Sequence, residues 1–139
     1  MLRGSEGAVQ AEERYADALV QARRLGSLLN EILELTRQLA EAVDRNDQVS
    51  MRMVIAMREE PIRRADAADR AIKSLRDEIA DAAERARFSE LLAGRADAET
   101  GPCARALAER MAFNARTLQQ IKEIDRVLNR KIARDRSVV

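Results

Sequence analysis

The sequence predicts an all-α protein, an elongated antiparallel three-helix bundle whose long second helix is kinked near Pro61. Three observations lead there. Of 139 residues, 46% are hydrophobic, 35% charged and 2% aromatic, with five Gly and two Pro. Chains rich in Ala, Leu, Glu, Arg and Lys with few helix breakers form long helices. Apolar residues recur at spacings of three and four over long stretches, the period of a helix face. Only one short turn and one clear loop interrupt them.

Residues 1–10, "MLRGSEGAVQ", read as a flexible lead. They lack the apolar run of a secretory signal. The first helix is expected over 11–43. Tyr15, Ala18, Ala22, Leu25, Leu29, Ile32, Thr36, Leu39 and Val43 form its heptad seam. Leu19, Leu28, Leu33 and Leu35 widen that seam, which implies more than one neighbouring helix. Gly26 lies inside, at a cost of roughly 1 kcal/mol relative to Ala.

"DRND" at 44–47 ends this helix and opens the next, with Asn46 or Asp47 able to accept from the free N–H groups of the following turn. So short a connection turns the second helix antiparallel to the first.

The second helix is expected over 48–92. Ile62, Ala65, Ala68, Ile72, Leu75, Ile79, Ala82 and Ala86 supply its seam. Pro61 has no N–H, and its ring crowds the carbonyl four residues earlier, so a kink is expected there. The loop 93–101 holds Gly94 and Gly101; Thr100 or Gly101 would cap, and Pro102 suits a first helical turn.

The third helix is expected over 102–134. Leu107, Met111, Leu118, Ile121, Leu128 and Ile132 line one side, widened by Phe113 and Ile124. Asn114 and Asp125 interrupt this stripe. A polar residue in an apolar seam fixes register, or faces solvent or a partner.

Composition argues against chemistry. The net charge of +1 gives no global pull toward nucleic acid or anionic lipid. Without histidine, Ser-His triads and Glu-x-x-His metal pairs are absent. Lys73 and Ser74 are adjacent and so point in different directions on a helix. Glu31, Glu34, Glu41, Glu78 and Glu84 read as a solvated surface, and one cysteine, Cys103, cannot ligate zinc alone. Cys103 reads as a small buried or loop-edge thiol more readily than as one activated by the helix start. Residues 116–136 carry seven Lys or Arg against three Asp or Glu, a net +4. With acids interleaved and no aromatics there for stacking bases, that end reads as a helix terminus complementing its own dipole. The expectation is a non-enzymatic cytoplasmic protein with no cofactor or metal, no nucleic-acid partner and no membrane insertion.

The stretch "MVIAMREEPIRR" at 53–64 supplies the functional candidate. Val49, Met53, Ala56 and Met57 would continue the core seam, leaving Met51, Val54 and Ile55 on a second apolar face. Methionine adapts to varied partners. The second face is therefore either a partner surface, the candidate site, or is buried under the far end of the first helix.

The order of elements resembles a known family. A leucine-rich helix ends in "LTRQLAEAVDRND", a second opens with "MREEPI", and a loop leads to a helix rich in Ile, Leu and Asn. Over about 25–132 this resembles the FlgN-type flagellar type III export chaperones, with the FliT type close behind. The resemblance implies a cytosolic chaperone that binds C-terminal amphipathic helices of hook-filament junction proteins before export. It also implies partner binding through the last helix, around Leu118, Ile121, Ile124 and Leu128. The alternative is a self-associating helical spacer or adaptor, a homodimer through the surplus apolar surface.

Overall fold

The computed structural model describes residues 2–138, with side chains from 7 to 134. Among the described residues the fold is all-helical, with four helices where three were expected: α1 (Leu2–Asp44), α2 (Gln48–Asp77), α3 (Ala82–Leu92) and α4 (Pro102–Val138). Residues 2–10, read from the sequence as a flexible lead, are helical and belong to α1. Met1 lies outside the described residues. At the other end α4 runs four residues past the expected stop at Arg134.

α1 is the central element. Its seam residues from Ala18 to Leu39 are buried, flanked by half-buried Tyr15 and Val43. Leu33 and Leu35 are buried beside them, so one helix presents two apolar flanks. α2 packs on one flank and α4 on the other, whereas no Cα of α2 comes within 8 Å of a described Cα of α4. Thr36, fully buried, donates its hydroxyl to the Ile32 carbonyl at 2.6 Å, so a polar seam residue causes no unpaired group. α4 runs parallel to α1: Asn114 bonds Ala22 near its middle, and Lys131 bonds Asp44 near its end.

The α1–α2 turn is compact because one residue serves both helices. Asn46 takes φ 55°, the left-handed conformation that ends many helices. The Asp47 N–H bonds the Ala42 carbonyl at 2.9 Å and the Asn46 N–H bonds the Val43 carbonyl at 3.0 Å. Asp47 then caps α2, its carboxylate accepting from the Ser50 N–H at 3.1 Å and the Ser50 hydroxyl at 2.6 Å.

The expected second helix is two helices, and the break is not at Pro61. Pro61 is buried within an unbroken α2. The chain leaves helical geometry at 78–81, where Ile79 is driven into the core. Asp81 restarts it, accepting from the Glu84 N–H at 2.9 Å. Arg85 reaches back to the Ile79 carbonyl at 2.8 Å, satisfying a backbone acceptor freed by the break. Ala82 and Ala86, expected in the seam, are exposed. α3 instead delivers Phe88 and Leu91 to the core, and Phe88 stacks on Tyr15 with centroids 6.1 Å apart.

Gly94 ends α3 at φ +84°, with the Arg95 N–H on the Glu90 carbonyl at 2.9 Å. A Cβ there would stand 2.9 Å from Ala112 Cβ, so glycine also permits the loop to lie against α4. α4 then starts at Pro102, with the Gly101 carbonyl accepting its first helical bond from Arg105. Thr100 does not cap; its hydroxyl bonds Asp97.

Candidate functional site

The register of α2 decides which apolar residues are available. Met51, Val54, Arg58, Pro61, Ala65, Ala68, Ile72, Leu75 and Ile79 alternate spacings of three and four. All are buried or half-buried, so this is the core-facing seam. The sequence reading had the two faces reversed at the start of α2. Val54 is buried with Leu35, Leu39 and Leu128, and Met51 packs on that cluster. Val49, Met53 and Met57, assigned to the core, are 71%, 57% and 49% exposed. The physical reason is that the seam passes through Arg58 and Pro61, which do not read as apolar.

The expected partner residues therefore divide. Val54, Ile121 and Leu128 are core residues, and Met51 and Ile124 are half-buried against it. Ile55 and Leu118 remain open, at 46% and 38% exposure.

Those two lie on the helices that flank α1, and a hydrogen-bonded ion pair links these helices. Arg58 Nη2 donates to Asp125 Oδ2 at 2.9 Å, from a guanidinium whose side chain is 13% exposed. Arg58 Nε is buried without a partner. The Asp125 in the apolar stripe of α4 is thus explained: it answers an arginine in the seam of α2. At about 100° per residue, Ile55 and Ile62 lie beyond Arg58 on the flank of α2 away from the core, and Leu118 lies beside Asp125 on α4. Ile62 is also exposed. Exposed apolar residues thus stand on both helices, on either side of the Arg58–Asp125 pair that links them.

The other sequence candidates fall into structural roles. Asn114, buried, donates Nδ2 to the Ala22 carbonyl at 2.9 Å and fixes register. Lys73 pairs with Asp69 at 2.8 Å, on the exposed side of α2 with Ser74. Cys103 is half-buried, and its hydrogen bond to Glu12 holds the thiol above its ordinary pKa, with burial acting the same way. That is the reverse of an activated nucleophile. Part of the basic charge of α4 is engaged locally: Lys131 bonds Asp44, and Arg116 and Arg110 lie over the exposed Phe113 ring at 5.7 and 5.5 Å.

No three His, Cys, Asp or Glu residues gather as a metal site among the described residues. No described helix is long and apolar enough to cross a membrane. Comparison with protein-family models, with curated proteins and with solved structures finds no match.

Proposed function

We propose that the protein is a non-enzymatic helix-binding chaperone, and that its client lies in a shallow channel formed between α2 and α4. The carrying observation is that Ile55 and Leu118 stay exposed on either side of the Arg58–Asp125 pair, on two helices whose backbones do not close on each other. An amphipathic helix fits such a channel, its apolar stripe on Ile55, Ile62 and Leu118 and its polar flanks on the surrounding charge. A bend at Pro61, expected from its missing N–H, would widen the channel beside Ile62.

The resemblance to FlgN-type flagellar export chaperones names the client: the C-terminal helix of a hook-filament junction protein, held unpolymerised in the cytoplasm before type III export. The site is narrower than that resemblance implies, because Ile121 and Leu128 are committed to the core. Titrating the chain with such C-terminal peptides tests this. Binding is expected, weakened about tenfold or more by Leu118→Lys or Ile55→Glu, the loss typical of an apolar anchor. A peptide that does not bind, or binds both variants as well as the parent, rules the reading out.

A further inference from the structure

We propose that the opposite, outward face of α2 pairs antiparallel with the same face of a second copy, about a two-fold axis at Glu60. This does not rest on the client reading, since it uses neither Ile55 nor Leu118.

Side-chain size changes along this face. Val49 and Ala67 are eighteen residues apart, as are Met53 and Ala71. Eighteen residues are about five helical turns, so each pair lies in line on one face. The first half of that face carries exposed Val49, Met53 and Met57. The second half carries Ala67 and Ala71, which line a groove of about 640 Å³ walled by α1 through Gln21, Arg24 and Leu28.

Knobs and groove are equidistant from Glu60. Val49 and Ala71 each lie eleven residues from it, and Met53 and Ala67 each lie seven. An antiparallel two-fold partner therefore sets Val49 against Ala71 and Met53 against Ala67, large against small, while Met57, three residues from the axis, meets Arg63 of the second copy. That is the self-complementarity an isologous interface requires. A parallel partner would set methionine on methionine and leave both grooves empty.

Charge at the axis agrees. Glu60 is bonded within its own helix to Arg63 at 3.2 Å and Arg64 at 3.0 Å. The two-fold operation places each Glu60 near the partner's copies of those arginines. The like charges of the two glutamates therefore meet with four guanidiniums around them. The stripe is ~33 Å long and narrow, so the dimer forms in the micromolar range or above rather than as an obligate assembly.

Sedimentation equilibrium over roughly 1 to 500 µM, with cross-linking of single-cysteine variants, tests the geometry. A Cys103→Ser background removes the one native thiol. The expected result is a concentration-dependent dimer, shifted at least tenfold toward monomer by Ala67→Glu. Glu60→Cys should oxidise to a self-cross-linked dimer. Met53→Cys should cross-link with Ala67→Cys in a mixture but not with itself, since its two copies would stand ~21 Å apart. Circular dichroism confirms that these exposed positions leave the helices intact. A monomeric mass throughout the range, or Met53→Cys linking to itself more readily than to Ala67→Cys, overturns the proposal.

Discussion

Asn114 Nδ2 donates to the Ala22 carbonyl oxygen at 2.9 Å, and this bond sets the register of α4 on α1. The other amide atom, Oδ1, has no hydrogen-bond partner and faces Gly26, where a Cβ would stand 2.8 Å away. Glycine at 26 is therefore the space in which the asparagine sits.

Gly26→Ala should destabilise the protein by about 1–2 kcal/mol in urea denaturation. Helix propensity alone predicts a gain of roughly 1 kcal/mol, so the sign separates the two accounts. In an Asn114→Ala background the same substitution should turn stabilising. A double-mutant cycle reads the difference as coupling between the two positions.

The two left-handed caps should respond in opposite directions. Gly94→Ala combines a positive φ with a Cβ 2.9 Å from Ala112, and should cost about 2–4 kcal/mol. Asn46→Gly keeps the backbone of the α1–α2 turn and removes its steric cost. It should raise stability by about 0.5–1 kcal/mol, less if the entropy of the unfolded chain offsets it. Thermal melts of both variants check the pair.

The Arg58–Asp125 contact should be asymmetric. Asp125→Ala leaves a guanidinium in the core seam of α2 without its carboxylate, at about 1–3 kcal/mol. Arg58→Met fills the same seam position with an apolar side chain and exposes the aspartate to solvent, at about zero. Equal losses from the two substitutions would contradict the seam assignment of Arg58.

Acid should weaken the turns first. The Ser50 hydroxyl and N–H hold the Asp47 carboxyl below its ordinary value of 3.8, and the Thr100 hydroxyl with the Glu99 N–H does the same for Asp97. Both groups are more acidic folded than unfolded. Their contribution is complete above the ordinary carboxylate range and is lost as pH falls through the depressed values. The urea midpoint should therefore drop below about pH 4, and Asp47→Asn should flatten that drop.

The structure also shows which features the sequence carried openly. The α1 seam is readable because every member but Thr36 is apolar or aromatic and the period never slips. The Asp47 cap is readable from side-chain chemistry alone. The start of α3 was readable too: Asp81 with Glu84 three residues later is a helix-start pattern, hidden inside a stretch of alanines with no glycine or proline to mark the break. The α2 register was not evident from apolar residues, because two of its core-facing positions are an arginine and a proline. Extending the spacing of Ala65, Ala68 and Ile72 backwards by fours and threes reaches Pro61, Arg58, Val54 and Met51 in turn. The separation of α2 from α4 is a packing result that no local pattern encodes.

Methyl NMR of the full chain during addition of a junction-protein C-terminal peptide reads client binding residue by residue. Resonances of Ile55, Ile62 and Leu118 should shift together, while those of buried Leu107 and outward-facing Val49 stay in place. Unchanged spectra at saturating peptide, or shifts confined to Val49, Met53 and Met57, would contradict client binding between α2 and α4.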